Sequence, residues 1–393
     1  MVLNKISYMS QNAINLMNVD SCILDASCVL KELIENSIDA CASKITIKIE
    51  KEGLQLIQIV DNGTGMSPQD MLLSIEKHTS SINDEKDELE KSKSLGFRGL
   101  ALQQICKLGQ TEITSRQKHR SRGSYLRLTD GKYEPVKECY SEIGTKIIIR
   151  NLFYNSPSHR ETSKSGRQEL TKIIKIINRY AIGYPFIGFK TSIDGKKDFI
   201  FEKESKETIN PLFSRIKKIH GKKISEDIIY YNGDKGEITF NLFYSNKLSL
   251  FKTKRNQFYY INNRPFFNEK VQEILNKIYS DTFSTSRYPA FFLFISLPNS
   301  EINYRLDPSK FNIHFHNENE TLEKLTNFLD EVFHGNQKIN KNDKKKEIIL
   351  NGSFVNFHKS FILEQTNSGI SITDTEKNKK IEISIESLIK LFE

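Results

Sequence analysis

Two polar side chains stand one helical turn apart near the start of the chain. The segment VLKELIENSIDA, residues 29–40, has apolar residues at helical spacing and carries Glu32, Glu35, Asn36 and Asp39 along its other side. Because a helix advances about 100° per residue, Glu32 and Asn36 share a face. Mg²⁺ accepts an amide oxygen beside phosphate oxygens, and a carboxylate one turn away can polarise an attacking water. The alternative interpretation is an amphipathic surface helix with solvated acids.

Three further motifs could complete a nucleotide site around this helix. DNGTGM, residues 61–66, follows a predicted strand, so Asp61 could accept a hydrogen bond from a base amine, and its glycines allow close backbone approach. GFRG, residues 96–99, leads into a predicted helix whose N–H groups can bind phosphate. GT, residues 144–145, opens a strand and can touch a base. Each motif alone is weak, but the four in this order are specific, and the absence of G-x-x-x-x-G-K-[ST] excludes a P-loop protein.

The elements that must position these motifs indicate an α+β fold. KITIKIE (44–50) and LQLIQIV (54–60) alternate apolar and polar residues, which predicts a hairpin of two half-buried strands. A helix is predicted over 22–41, and the polar segment 80–94 predicts a loop or lid. Because each of these strands has one solvent-exposed face and one buried face, an antiparallel or mixed sheet is favoured over a doubly wound parallel one.

The pattern of helices and strands restarts further along the chain. It predicts a first domain over 1–204 and a second α+β domain over 205–333. Beyond them, 334–393 begins with a Lys-rich polar linker and continues with two short apolar pieces. We expect this last segment to be partly ordered at best and too small for a domain of its own.

Composition favours an intracellular globular protein. Hydrophobic residues make up 37% and charged residues 27% of the 393 residues, and no apolar run approaches the length of about 18 residues that a membrane span needs. The 58 Lys and Arg exceed the 49 Asp and Glu, which indicates a polyanionic partner, although the lysines are spread along the chain. The five cysteines include no C-x-x-C and no zinc spacing with His, so we expect reduced thiols and no transition-metal site.

In this order the motifs resemble those of the GHKL ATPases, and in detail those of the MutL family of DNA mismatch-repair proteins. The matching segments are VLKELIENSIDA, DNGTGM, HTSSI (78–82), LGFRG (95–99), GT, NLFYNSP (151–157), FYYINNRP (258–265) and LDPSK (306–310). The resemblance covers about residues 10–333 and looks closest to the eukaryotic PMS-type subunits. It implies a two-layer α/β sandwich of GHKL ATPase type, followed by a second α+β domain of ribosomal-protein-S5-like type.

The resemblance implies a role for each matched residue of the first domain. Glu32 would be the general base that activates water against the γ-phosphate of ATP, and Asn36 would hold Mg²⁺. Asp61 would accept a hydrogen bond from the adenine amine, with Gly65 packed near the base and Thr145 bridging to it through water.

The resemblance also assigns residues to a lid, to the second domain and to DNA. The phosphate-binding residues of a lid that closes over ATP would be Thr79, Ser80, Gly96, Phe97, Arg98 and Gly99. Lys310 would reach the γ-phosphate and sense the nucleotide state, and Arg264 would contact the DNA backbone without reading its sequence. Binding of ATP would bring two N-terminal halves together in a slow, switch-like ATPase.

The implied function is that of an ATP-dependent mismatch-repair subunit. Its partners would be another MutL-type subunit, in a heterodimer, together with a MutS-type mismatch-recognition complex and double- or single-stranded DNA, with no membrane. If the source is eukaryotic, the implied location is the nucleus. Nothing after residue 333 resembles the D-Q-H-A segment of the nuclease relatives, so no endonuclease is predicted in this chain.

Four positions depart from the family pattern and keep other hypotheses open. Asp20 aligns with a family glycine, Ser81 replaces a lysine, Leu100 replaces a glutamate and Arg305 replaces an asparagine. These departures favour a second hypothesis, a scaffold that binds ATP or DNA but hardly hydrolyses ATP. A third is a different GHKL machine, such as a topoisomerase subunit or a chaperone, although the INNRP and DPSK segments argue against a chaperone.

Overall fold

The computed structural model describes most of the chain, in two compact units. The described residues are 7–8, 25–76, 79–80, 101–156, 160, 166–208, 210–225, 228–245, 250–303, 313–335, 354–358, 361–366, 369–374 and 379–384. The first unit extends to Arg215 and the second begins at Ile216.

A mixed sheet forms the base of the first unit. The strands are β1 (Ser7–Tyr8), β2 (Lys44–Glu50), β3 (Leu56–Asp61), β4 (Thr79–Ser80), β5 (Gln110–Arg116), β6 (Gly123–Thr129), β7 (Lys132–Tyr133), β8 (Lys137–Cys139), β9 (Gly144–Arg150), β10 (Gly188–Ile193) and β11 (Lys197–Phe201). Nine of these described strands form one sheet in the order β11-β10-β2-β3-β9-β5-β6-β7, with β8 beside β6. β10 runs parallel to β2, and β2 and β3 pair antiparallel as predicted. The expected mixed sheet is therefore confirmed.

Helices lie over the buried face of this sheet. They are α1 (Ala26–Asp39), α2 (Pro68–Leu73), α3 (Ala101–Leu108) and α4 (Gly166–Gly183). The next helix, α5 (Pro211–His220), contains the boundary between the two units. α1 packs against α3, α4 and β3, while α3 also contacts β5 and β6. On β2 the three isoleucines of the alternating pattern, Ile45, Ile47 and Ile49, are fully buried. The first unit is therefore a two-layer α/β arrangement.

The helix that carries the first motif begins later than the predicted residue 22. Asp25 has extended backbone geometry and its carboxylate accepts a hydrogen bond from the Cys28 N–H at 2.9 Å, so it caps a helix that begins at Ala26. The carboxylate of Glu169 on α4 accepts from the Ser27 N–H at 2.8 Å. The first turn of α1 is therefore held by a side chain from α4.

The second unit contains another mixed sheet and its own helices. The helices are α6 (Lys222–Ser225), α7 (Glu269–Phe283) and α8 (Glu318–Gly335). The strands are β12 (Ile228–Lys235), β13 (Ile238–Ser245), β14 (Gln257–Ile261), β15 (Arg264–Phe266), β16 (Phe291–Ser296), β17 (Ile302–Asn303), β18 (His314–Phe315), β19 (Phe354–His358), β20 (Phe361–Thr366), β21 (Gly369–Asp374) and β22 (Lys379–Ser384). The core brings together apolar side chains of α7, α8 and the central strands, including Leu275, Phe328 and Leu293. The S5-like type of this unit stays a prediction.

The second unit extends beyond residue 333, where the sequence pattern ended it. β19 pairs with β12, and β20, β21 and β22 follow in an antiparallel meander, so the sheet order is β15-β14-β16-β13-β12-β19-β20-β21-β22. The sequence pattern predicts only a partly ordered tail in this part of the chain. The strands were missed because β19 pairs with a strand more than a hundred residues earlier, which a local pattern does not reveal.

Across the described residues, the helices fall short of the combination of length and apolar character that spanning a bilayer would require.

Candidate functional site

Asp61, the last residue of β3, is a buried carboxylate that joins three segments of the first unit. Its Oδ1 accepts hydrogen bonds from the N–H groups of Gly63 at 2.9 Å and Thr145 at 3.2 Å. Its Oδ2 accepts one from the Ser37 hydroxyl on α1 at 3.1 Å. The residue is 8% exposed, and this burial raises the pKa of the Asp61 carboxyl, while the three hydrogen bonds act in the opposite direction.

Two glycines allow the backbone to pack closely in the segments next to Asp61. Gly65 has φ +69°, and a Cβ atom there would lie 2.2 Å from the carbonyl oxygen of Arg116. Gly144 has φ +115°, and a Cβ atom there would lie 2.1 Å from the carbonyl oxygen of Asp61. Any other residue would therefore push these segments apart. The glycines of both motifs are required by backbone packing, whatever ligand they also contact.

Thr145 lies directly opposite Asp61 in the pairing of β9 with β3. Its hydroxyl forms a 2.9 Å hydrogen bond with the Ser115 hydroxyl of β5, which also accepts the Met66 N–H at 2.7 Å. Ser115 thus links the DNGTGM turn to the start of β9. Sequence reasoning missed Ser115 because no motif surrounds it.

Glu32 and Asn36 lie one turn apart on α1, as the spacing predicts. Glu32 is 9% exposed and Asn36 is half-buried. Ser37 follows Asn36 directly and donates to Asp61, so the turn that carries Asn36 is fixed against the end of β3. Glu35 is only 1% exposed. The alternative of a surface helix with solvated acids is therefore wrong for Glu32 and Glu35.

A buried lysine joins the two glutamates of α1. The Nζ atom of Lys31 lies 3.2 Å from Oε1 of Glu32 and 3.2 Å from Oε2 of Glu35, and the lysine side chain is 3% exposed. The hydroxyl of Tyr180, on α4, donates to Oε1 of Glu35 at 2.6 Å. Together they form a buried polar chain from Tyr180 through Glu35 and Lys31 to Glu32. Sequence reasoning missed Lys31 and Tyr180, because Tyr180 is 145 residues from Glu35.

The remaining predicted residues of the lid are only partly described. Thr79 and Ser80 form β4, which pairs antiparallel with β1, but their side chains lie outside the description. The residues wholly outside the described ranges are Gly96, Phe97, Arg98, Gly99 and Lys310. The phosphate loop, the lid and the sensing lysine therefore stay predictions.

Arg264, expected to contact DNA, is a buried residue at the start of β15. It is 3% exposed, and its backbone pairs with Ile261 of β14. A contact with a DNA phosphate requires an accessible guanidinium, so this burial argues against the role that the resemblance implies for Arg264.

The fold and the site define the chain as a protein with a GHKL-type ATPase domain. Residues 25–147 match the family model of histidine kinase-, DNA gyrase B- and HSP90-like ATPases. Residues 216–334 match the model described as DNA mismatch repair protein, C-terminal domain. The first match contains Glu32, Asn36, Asp61 and Thr145 within one family model.

The chain belongs to the MutL family of DNA mismatch-repair proteins. MutL of Chlorobium phaeobacteroides is 32% identical over 314 residues, which cover 80% of this chain and 49% of that protein. Among solved structures, the N-terminal domain of a DNA repair protein gives a TM-score of 0.69 at 24% identity and covers 84% of this chain and 98% of its own. The Aquifex aeolicus MutL ATPase domain, complexed with ADP, gives a TM-score of 0.52 at 24% identity. This match covers 70% of this chain and 93% of that domain.

The chain spans about half the length of the curated relatives it matches. These relatives are bacterial, so they do not support the expected PMS type or the expected nuclear location.

The Tyr180 hydroxyl should stabilise the fold through Glu35. We expect Tyr180→Phe to lower the free energy of unfolding by about 1.5–3 kcal/mol, because it removes a hydrogen bond to a buried charged group. In a Glu35→Gln background the same change should cost clearly less, because the charged acceptor is gone. Urea denaturation of the four proteins measures the coupling.

The matched control is Tyr133→Phe, since Tyr133 is 54% exposed and its loss should leave stability within about 0.5 kcal/mol. Equal costs of Tyr180→Phe in both backgrounds would show that the hydrogen bond to Glu35 contributes nothing specific.

Proposed function

We propose that this chain binds ATP in the first unit and hydrolyses it slowly to ADP and phosphate, as a subunit acting in DNA mismatch repair. The observation that carries the proposal is the fixed arrangement of a buried Asp61 beside the helical turn of α1 that bears Asn36, with Glu32 one turn earlier. The family membership supports it, as does the ADP bound to the Aquifex aeolicus domain of the same fold.

The Asp61 carboxylate would recognise adenine. A carboxylate has about four acceptor positions, and the described hydrogen bonds to Asp61 use three of them. The remaining position can accept a hydrogen bond from an exocyclic amine. Its burial makes this contact stronger than it would be in water, because little solvent competes for the oxygen.

Glu32 would accept the proton of the attacking water. As the water oxygen forms a bond to the γ-phosphorus, the bond to ADP breaks and the proton passes to the Glu32 carboxylate. The Nζ atom of Lys31 lies 3.2 Å from this carboxylate, and this contact limits the positions of the side chain. Glu35 balances the charge of Lys31, which leaves Glu32 to act on the water.

The residues of this site fit Mg²⁺ held mainly by the nucleotide. In the part of the chain that the structure describes, no three His, Cys, Asp or Glu side chains are grouped as metal ligands. The half-buried Asn36 amide, one turn from Glu32, offers a neutral oxygen, which suits an ion whose other ligands are phosphate oxygens and water. When bound, Mg²⁺ would neutralise charge on the phosphates.

DNA contact would fall on a basic groove of the second unit rather than on Arg264. The groove has a volume of about 720 Å³. Its charged lining residues are Lys254, Lys270, Lys277, Arg287 and Glu273. Lys270 is paired with Glu318 at 2.5 Å, which leaves three cations against Glu273. This balance suits a polyanion bound through its phosphates, without base recognition.

Family membership also supports a proposed set of partners. These are a second MutL-type subunit, brought close when ATP binds, and a MutS-type mismatch-recognition complex. With a chain that spans about half the length of its relatives, these partners belong to the proposal and its tests.

Replacing the proposed general base should slow hydrolysis strongly and leave nucleotide binding intact. We expect Glu32→Gln to lower the rate of magnesium-dependent phosphate release by roughly 10²- to 10⁴-fold, since a positioned base contributes that much. Nucleotide affinity, measured by calorimetry with a non-hydrolysable ATP analogue, should change little.

The control is Glu138→Gln, because Glu138 is exposed on β8. A wild-type chain that binds the analogue but releases no phosphate would select the alternative of a non-catalytic scaffold. Unchanged turnover in Glu32→Gln would remove Glu32 from the mechanism.

Removing three cations from the groove should weaken DNA binding in a salt-dependent manner. For the variant Lys254→Ala, Lys277→Ala and Arg287→Ala, the slope of log affinity against log salt should fall by about 2 to 3, because each phosphate contact contributes about 0.9. Fluorescence anisotropy with duplexes of two unrelated sequences measures it.

The matched control removes three exposed lysines of the first unit, Lys190, Lys196 and Lys203, and so the same net charge. Similar slopes in both triple variants would show that only net charge matters and that the groove is not the contact.

A further inference from the structure

Four polar residues form a row across the buried face of the sheet in the first unit. Asp61 on β3 lies opposite Thr145 on β9. Thr145 lies in turn opposite Ser115 on β5, and Ser115 lies opposite Ser124 on β6. Residues directly opposite one another in antiparallel strands point to the same face, with Cβ atoms about 4.5–5.5 Å apart. All four are buried, so what the row can do depends on which groups its hydroxyls bind.

The Ser115 hydroxyl is fully hydrogen-bonded, and its partners determine where its proton lies. Its Oγ accepts the Met66 N–H at 2.7 Å and donates to the carbonyl oxygen of Gly144 at 3.1 Å. The same oxygen lies 2.9 Å from Oγ1 of Thr145. A hydroxyl has one proton and two lone pairs. Because the proton is used on Gly144 and one lone pair on Met66, the remaining lone pair accepts the hydroxyl proton of Thr145.

This arrangement fixes the direction of the Thr145 hydroxyl. Its proton points to Ser115, so its oxygen offers only lone pairs to a ligand. The Thr145 N–H donates to Oδ1 of Asp61 at 3.2 Å, and the two side chains lie side by side on the same face of the sheet. The lone pairs of Thr145 therefore lie beside the carboxylate that would bind the adenine amine.

We propose that Ser115 is a positioning residue that sets the base specificity of this site by orienting the Thr145 hydroxyl. The inference rests on the proposed function, in which Asp61 binds the adenine amine. A water molecule on Thr145 donates one hydrogen to the threonine oxygen and directs its other hydrogen to the base. Adenine has an acceptor for it, the ring nitrogen bonded to the carbon that carries the amine. In hypoxanthine and guanine that nitrogen carries a hydrogen, so the same water would meet a second donor.

A purely structural role of Ser115 would have a different signature. Ser115 also links the DNGTGM turn to β5 through the Met66 N–H, and loosening that link would weaken binding of every nucleotide by a similar factor. Loss of the Thr145 orientation changes the ratio of affinities for two nucleotides that differ only at the ring nitrogen. The ratio therefore separates the two roles.

The test compares ATP with 1-deaza-ATP, which keeps the amine and has a C–H group in place of that ring nitrogen. By calorimetry, the wild-type chain should bind ATP roughly 3- to 10-fold more tightly, the value of one neutral hydrogen bond. In Ser115→Ala the ratio should fall to less than about 2, because the Thr145 hydroxyl loses its acceptor and is free to rotate. Ser115→Cys, with a weakly hydrogen-bonding thiol, should give the same fall and serves if the alanine variant does not fold.

A double-mutant cycle tests whether Ser115 acts through Thr145. Thr145→Val removes the hydroxyl and should lower the ratio by itself, and adding Ser115→Ala should then change the ratio no further. The matched control is Ser124→Ala, the same substitution in the same row but one strand further from Thr145, which should keep the wild-type ratio. Thermal unfolding of each variant verifies that the fold is retained.

The outcomes separate this inference from the proposed function. A wild-type ratio near 1, or a ratio that Ser115→Ala and Ser115→Cys leave unchanged, overturns the role of Ser115 while ATP binding still stands. A further fall of the ratio on adding Ser115→Ala to Thr145→Val also overturns it, because Ser115 would then act by another route. A wild-type chain that binds no ATP overturns the proposed function and this inference together.

Discussion

The buried carboxylate of Asp61 sets the arrangement of the first unit. Burying a charged oxygen costs free energy unless hydrogen bonds replace its water, so the Asp61 side chain holds its donors in place. The donors come from α1, from the turn after β3 and from the start of β9. A helix and two strands thereby share one fixed point. Gly144 makes this possible, because only glycine lets the start of β9 approach the backbone of Asp61 so closely.

The charged side chains of α1 form a second constraint, which acts on the same helix that donates a hydrogen bond to Asp61. Lys31 compensates Glu32 and Glu35 at once, and the Tyr180 hydroxyl binds Glu35 from α4. Removing Lys31 would leave the buried charges of both glutamates uncompensated, and removing one partner of a buried ion pair typically costs about 3–5 kcal/mol. The helix is consequently fixed both in its position against β3 and in its rotation about its own axis. A water molecule beside Glu32 would meet a carboxylate whose direction is set before nucleotide binds, which reduces the reorganisation needed during reaction.

The local pattern of apolar and polar residues was enough to predict some helices and strands but not others. The alternation at Ile45, Ile47 and Ile49 reports directly which side of β2 is buried, so the hairpin with β3 could be predicted. The same reasoning placed Asp61 at a strand end. It gave no partner for Glu35, because Lys31 looked like another polar side chain and Tyr180 becomes a neighbour only when α4 packs on α1.

Long-range pairing explains the elements that sequence reasoning missed. β10 adds to the sheet beside β2, and β19 adds beside β12, each from far along the chain. Their short apolar runs carry no indication of which strand they will join. The sequence also does not reveal that Arg264 is buried, since the turn resembles a family motif whose arginine is expected to be accessible.

The most direct measurement of the central claim compares two nucleotides that differ at the position Asp61 would read. Inosine triphosphate has an oxygen where ATP has the exocyclic amine. We expect calorimetry to show that ATP binds roughly 10- to 100-fold more tightly than inosine triphosphate, which is the value of one hydrogen bond to a buried charged acceptor. In Asp61→Asn the preference should vanish or invert, because the amide can donate to the inosine oxygen. Equal affinities of the wild-type chain for the two nucleotides would contradict the assignment of Asp61 as the adenine contact.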